Sequence, residues 1–159
     1  MRFGLLWVGR TRDRNIQAAI DVYLERIGRY VPVDVMEVKE GRAAGRRFEA
    51  ETVGRECQRL RERIPPGHEV VVMDEGGVVM SSMEFAGFLK ERLNHTSSKK
   101  GLTFVFGGHL GLDEETRRIA DHTLSLSRMT LTHEMARLVA VEQIYRGLSI
   151  LHGTRYHRP

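Results

Sequence analysis

The sequence predicts an α/β fold, a mostly parallel sheet flanked by helices. Short valine- and phenylalanine-rich runs alternate with stretches whose apolar residues repeat at helical spacing. Glycine-rich segments follow several of these runs, where strands hand over to the next element. The 159 residues fit one domain spanning 1–159, long enough to bury about 70% of the extended surface.

Phe3 to Val8 is a short apolar run ending at Gly9 and reads as a buried strand. Ile16, Ala19, Ile20, Tyr23, Leu24 and Ile27 then form one face of an amphipathic helix. Val33 to Val38 is a second strand, and the basic, Gly-containing stretch Gly41 to Arg47 is expected to be a mobile loop. Val53, Cys57, Leu60 and Ile64 again have helical spacing, and Pro65-Pro66-Gly67 stops that helix. Glu69 to Met73 is a third strand, closed by Asp74-Glu75-Gly76-Gly77. Ser81 and Glu84 have capping-box spacing, with Phe85, Phe88, Leu89 and Leu93 behind them. Leu102 to Phe106 is a fourth strand, running into Gly107-Gly108. Asp113 can cap a short helix over Glu114 to Ala120, and Thr123 to Ser127 reads as a fifth strand. Thr132 can cap a long last helix, roughly His133 to His152, ending at Gly153.

The net charge is +4 and the pI about 9.6. This mildly basic balance permits an RNA partner without demanding one. The single cysteine, Cys57, excludes an intrachain disulfide. The N-terminal apolar run is too short for a signal peptide, and no stretch reaches the ~18 apolar residues of a membrane span. A soluble, cytoplasmic protein with no membrane partner is expected.

In open parallel sheets, ligands sit beyond the carboxyl ends of strands. Three such ends carry loop signals: Asp74 to Gly77, Gly107 to Gly111, and Ser127 to Thr132. Gly107-Gly108-His109-Leu110-Gly111 would let a ligand approach the backbone, or simply form a tight turn. It has neither the G-x-G-x-x-G spacing nor the Gly-Lys-Ser/Thr of a phosphate loop. Ser125 to Leu131 could pair with the polar edge of an adenine or merely lead into a capped helix. His133-Glu134-Met135-Ala136-Arg137 lacks the second histidine of a zinc protease motif, so no metal site is expected. His133 lies in a first helical turn, where the helix dipole favours its neutral form. The last helix is apolar around much of its circumference, which suits packing on a second subunit as well as its own sheet. Glu142 then reads as one half of an ion pair at such an interface. In the tail Arg155-Tyr156-His157-Arg158, tyrosine can stack on a base, arginine can hold phosphate, and histidine titrates near neutrality; a frayed basic end is the plainer alternative.

Taken together, Gly107-Gly108-x-x-Gly111, Leu124 to Leu131, His133-x-Met135-x-Arg137, Glu142-Gln143-x-Tyr145-Arg146 and terminal Tyr156-His157-Arg158 resemble one family. It is the ribosomal large subunit pseudouridine N3-methyltransferase (RlmH) family of the SPOUT class. The resemblance spans nearly the whole chain. It implies a C-terminal third threaded into a trefoil knot, an obligate homodimer, and S-adenosylmethionine as cofactor. The implied substrate is N3 of a pseudouridine in 23S-type rRNA, within the assembled ribosome. Residue by residue, it places the cofactor on Met73, Gly107, Gly108, Leu126, Ser127, Arg128, Met129, Thr130 and Leu131. Val78, Thr132 and Arg10 depart from the family pattern, where a basic residue, proline and lysine are common.

Methylating N3 requires loss of its proton, so a base or an anion-stabilising cation is needed. On this reading the tail of one subunit serves the other's cofactor. His157 is the expected proton acceptor, Arg158 and Arg146 stabilise the anion or bind phosphate, and Tyr156 stacks or positions. His133 and Arg137 shape the pocket floor. Two other readings remain: a SPOUT enzyme acting on tRNA, at a ribose 2′-OH or a base, and a non-catalytic ribosome-associated RNA-binding protein.

Overall fold

The computed structural model describes residues 1–41, 45–94 and 99–157. Five parallel strands form one sheet in the order β2-β1-β4-β3-β5. They are β1 (Arg2–Val8), β2 (Val33–Val38), β3 (His68–Val79), β4 (Gly101–Phe106) and β5 (His122–Ser125). The helices are α1 (Arg14–Gly28), α2 (Glu49–Arg63), α3 (Ser82–Asn94), α4 (Glu114–Arg118) and α5 (His133–Leu151). The loop expected at Gly41 to Arg47 falls partly outside the described residues; its far end, Arg46–Phe48, forms a 3-10 turn.

The apolar runs of β1 and β4 have no polar alternation because both faces of the sheet are covered. Phe3, Leu5 and Trp7 of β1, with Phe104 and Phe106 of β4, face α1, α3 and α5. Their rings meet edge to face, Phe3 on Phe104 at 6.1 Å and Trp7 on Phe106 at 6.0 Å. Leu6, Val8, Val72 and Val105 point the other way, onto Cys57 and Leu60 of α2.

The helix starts follow the sequence signals. Ser81 and Glu84 bond reciprocally, the Ser81 N–H donating to Glu84 Oε2 at 2.7 Å and the Glu84 N–H to Ser81 Oγ at 3.2 Å. Asp113 accepts from the Thr116 N–H, and Thr132 accepts from the Met135 N–H. The threonine that departs from the family's proline therefore contributes a cap.

Two strand boundaries differ from expectation. β3 continues through Asp74-Glu75-Gly76-Gly77 to Val79, with its pairing to β5 shifted between Met73 and Val78. The glycine there serves close approach rather than a chain reversal: a Cβ on Gly77 would lie 2.6 Å from the Leu124 backbone. β5 ends at Ser125, and the following residues leave the sheet. Because all strands are parallel, their carboxyl ends share one edge, and the glycine-rich and serine-rich loops gather there.

Candidate functional site

That edge carries a cavity of about 560 Å³, within the size range of cofactor sites. Its walls come from all three loops flagged by the sequence. Met73, Asp74 and Glu75 approach from β3, Gly107 to Leu112 from the loop after β4, and Leu124 to Ser127 from β5. Met129 to Thr132 close the far side, and His133 and Ala136 of α5 complete it.

The loops are held by local bonds. Ser125 Oγ donates to the Ser127 carbonyl at 2.9 Å, and Ser127 Oγ accepts from the Met129 N–H at 2.9 Å. The serine-rich stretch is thus stapled by its own hydroxyls, which fixes the backbone facing the cavity. Opposite, Gly107 packs against the Gly111 backbone, where no side chain fits. Asp74 receives Arg117 of α4 at 2.9 and 3.0 Å, tying β3 to the helix behind the glycine loop.

Among the described residues, the lining holds two carboxylates, Asp74 (paired with Arg117) and Glu75, and no lysine or arginine. Burial, then the Arg137 charge, lowers the His133 pKa, with Glu134 opposing. Its imidazole is therefore neutral at pH 7. A cavity of this composition suits a cation with an apolar body and does not suit a nucleoside polyphosphate. S-adenosylmethionine fits that description: a sulfonium, an adenine able to read backbone groups, and an apolar reacting methyl. The residues able to hold it are the cavity-facing backbone of Leu126 to Leu131, with Met73 and Gly107-Gly108 against its body.

Of the residues the sequence assigned to the cofactor, Met73, Gly107, Gly108, Leu126, Ser127, Met129, Thr130 and Leu131 line this cavity. Arg128 is exposed and outside the lining. His133 lines it, whereas Arg137 is fully buried one turn further along α5. The Arg137 guanidinium donates to the Val8 carbonyl and, at 3.2 Å, to Thr11 Oγ1, and lies 5.1 Å from the Trp7 ring. It supports the end of β1 rather than the cavity surface.

Tyr156, His157 and Arg146 form a second group at the other end of α5; Arg158 lies outside the described residues. Tyr156 donates to Glu142 Oε1 at 2.9 Å, and Arg146 reaches the same oxygen at 2.6 and 3.0 Å. Glu142 thus pairs within its own helix and also anchors the tail. Arg146 lies about 20 Å further along α5 than His133, at ~1.5 Å rise per residue. None of Tyr156, His157 and Arg146 lines the cavity of its own chain.

Sequence reasoning missed two supports. Glu134 accepts from the N–H groups of Arg12 at 2.7 Å and Asp13 at 3.2 Å, pinning the β1–α1 connection to α5. Glu56, 1% exposed, accepts from the Gly41 N–H at 2.7 Å and packs beside Gly108. The only signal for either was an acidic residue on a helix, which is ordinary. Of the family departures, Arg10 is exposed 3.8 Å from Glu37, and Val78 lines a second, smaller cavity.

Comparisons with known proteins agree with this geometry. The family described as "Predicted SPOUT methyltransferase" matches residues 1–157. The "Ribosomal RNA large subunit methyltransferase H" of Geobacter sp. (strain M21) is 42% identical, over 99% of both chains. The protein of that name from Gemmatimonas aurantiaca is 43% identical, over 99% of this chain and 100% of its own. Among solved structures, a probable methyltransferase from Bordetella pertussis aligns with TM-score 0.58 at 15% identity, covering 92% of this chain and 96% of its own. A probable methylase family protein from Haemophilus influenzae aligns at 0.57 and 11%, covering 99% of this chain and 70% of its own. Full-length identity above 40%, a parallel sheet with its loops gathered at one edge, and a matching fold in solved methyltransferases converge: this chain belongs to the SPOUT methyltransferase family.

Proposed function

We propose that this chain transfers a methyl group from S-adenosylmethionine to N3 of a pseudouridine in large-subunit ribosomal RNA, acting in the cytoplasm as a homodimer on the assembled ribosome. The observation that carries the reading is the cavity walled by Gly107, Gly108, Leu126, Ser127 and Met129 to Leu131, without lysine or arginine among its described lining residues, in a chain 43% identical to a ribosomal RNA large subunit methyltransferase H. The cofactor supplies the methyl group. The chain's own residues hold the reactants in line, with N3 about 3–3.5 Å from the methyl carbon. They also exclude water and receive the N3 proton.

The separation between cavity and tail supports a two-chain site. Tyr156 and His157 would then complete the cavity of a partner, with His157 accepting the proton and Arg146 and Arg158 facing the developing anion. The C-terminal knot and a single-domain organisation over 1–159 belong to the same reading. So do the roles given to Met73, Gly107, Gly108, Leu126, Ser127, Met129, Thr130 and Leu131 around the cofactor, with Arg128 exposed beside them, and to His133 at the pocket floor, with Arg137 buried one turn behind it. No metal is invoked, and among the described residues no group of three metal-ligating side chains gathers. Also among the described residues, no helix is long and apolar enough to cross a membrane.

The test is methyl transfer from labelled cofactor to ribosomes purified from a strain lacking the gene, followed by a nucleoside digest. N3-methylpseudouridine in large-subunit rRNA is the expected product. Label in tRNA, or in a ribose, overturns the substrate assignment. No cofactor binding in calorimetry by the folded protein overturns the enzymatic reading.

A further inference from the structure

The chain has four tyrosines, and all four meet on one surface of α1, α5 and the tail. Tyr145 lies 5.8 Å from Tyr23, 6.3 Å from Tyr30 and 4.7 Å from Tyr156, ring centre to ring centre. Two of their hydroxyls touch, Tyr23 and Tyr156 at 3.2 Å. Direction follows from the acceptor at the end of the chain. Glu142 is acceptor-only as a carboxylate, so the single Tyr156 hydrogen goes to it, and Tyr23 must donate to Tyr156. The Glu142 Oε2 atom takes Gln143 Nε2 at 2.6 Å, and Gln143 Oε1 takes Ser82 Oγ at 2.8 Å. A continuous chain of hydrogen bonds thus runs from α1, through the tail, to α3.

Ser82 and Gln143 line a second cavity of about 290 Å³, which shares Met73, Leu124, Ser125 and Leu126 with the cofactor cavity. Helix α1 contributes no wall to either cavity. The next residue, His157, buries its Nδ1 atom with no partner among the described residues. Its imidazole is therefore placed by the chain around it rather than by a bond of its own. Burial, and then the bonds to Tyr23 and Glu142, push the Tyr156 phenol well above its usual ionisation range. It stays a donor at any physiological pH.

We infer that Tyr23 is a positioning residue for the C-terminal tail: its hydroxyl fixes Tyr156 on Glu142 and so sets where His157 is presented. The inference rests on the tail's proposed part in methyl transfer. Tyr23 lines neither cavity, and among the described residues its hydroxyl bonds only Tyr156.

The test compares Tyr23→Phe, Tyr156→Phe, the double variant and a chain truncated before Tyr156. One readout is independent of catalysis: trypsin cleavage after Arg155 in the folded protein, followed by mass spectrometry of the released C-terminal peptide. Tyr23→Phe is expected to speed that cleavage about five-fold, one hydrogen bond's worth. In the Tyr156→Phe background it should add nothing, because the bond is already gone. Methyl transfer to ribosomes should show kcat reduced by about the same factor, with KM for S-adenosylmethionine unchanged. Wild-type cleavage in Tyr23→Phe, or an equal increment in the Tyr156→Phe background, overturns the inference. So does a kcat that does not change. If the truncated chain loses turnover while Tyr23→Phe behaves as wild type, positioning is wrong and the tail reading stands. If the truncated chain keeps turnover, the tail reading falls and the inference falls with it.

Discussion

A Cβ on Gly107 would lie 2.6 Å from the carbonyl oxygen of Gly111, so the two arms of the glycine loop touch backbone to backbone. No real side chain tolerates that distance, and the opposing atom is main chain, which cannot rotate aside. Gly107→Ala must therefore spread the loop and shift one wall of the cofactor cavity. The expected result is a soluble, folded protein destabilised by about 1–3 kcal/mol, the usual cost of overpacking. Its affinity for S-adenosylmethionine should fall at least about ten-fold, corresponding to a loss of about 1.4 kcal/mol of binding. Calorimetric titration with the cofactor and a urea melt measure the two effects separately. Unchanged affinity would remove Gly107 from the cofactor site.

Arg137 invites the opposite expectation, a large effect on stability. Its guanidinium is fully buried and supplies the donors for the Val8 carbonyl and the Thr11 hydroxyl. Arg137→Met keeps much of the volume but removes the donor from the buried Val8 carbonyl and the half-buried Thr11 hydroxyl. The expected loss is about 2–3 kcal/mol by urea denaturation. Arg137→Lys should recover only part, since one ammonium does not reproduce a planar fork over Trp7. If Arg137→Met melts like the wild type, the buried guanidinium is not holding the end of β1.

These two residues also show what the sequence could and could not reveal. The Gly107 loop was legible because a ligand site at the carboxyl ends of parallel strands is a rule of the architecture, and glycines after an apolar run mark such an end. Arg137 was flagged only through the resemblance, as a residue of the pocket floor, and not as a support for β1. Its partner Val8 is 129 residues away, and no local pattern encodes a contact at that range. The strand order has the same origin: β4 inserts between β1 and β3 through pairings that periodicity does not register. At Gly76-Gly77 a true signal was misassigned, because glycine serves a close approach to β5 as readily as a turn. The tail's seat was illegible for another reason. Tyr156 is fixed by Tyr23 and Glu142 from two different helices, so composition made it look disposable.

His133 predicts how acid acts on the protein. Its folded-state pKa lies below the ordinary imidazole value of 6.5, first because of burial and then because of the Arg137 charge. His68 is lowered in the same direction, first by burial and then by Arg2. For a group depressed on folding, the unfolded chain binds protons first as pH falls. The stability contribution is complete above pH 6.5 and is lost progressively as pH drops from there toward the folded pKa. Urea midpoints measured between pH 8 and pH 5 should decline below 6.5, and His133→Gln should flatten part of that decline. A midpoint that rises on acidification through this range contradicts the burial of both imidazoles.

The tail carries the sharpest functional prediction. Tyr156 and His157 fold back onto Glu142 and lie outside the lining of their own chain's cofactor cavity. The proposed role of the tail is at a second chain's cavity. Deleting Tyr156 to Pro159 should abolish methyl transfer to ribosomes while leaving cofactor affinity within about two-fold, because neither Tyr156 nor His157 lines the cavity of its own chain. Mixing the truncated chain with a cofactor-pocket variant such as Gly107→Ala separates the alternatives. At a cofactor concentration well below the raised Kd of Gly107→Ala, each homodimer would have little activity, one lacking tails and the other a sound cavity. A mixed dimer pairs one intact cavity with one intact tail on opposite chains, so each heterodimer should regain up to about half of the activity of a wild-type dimer. Complementation requires action between subunits. A mixture as inactive as its parts, with heterodimers verified by native mass spectrometry, would show that the tail serves its own chain or none.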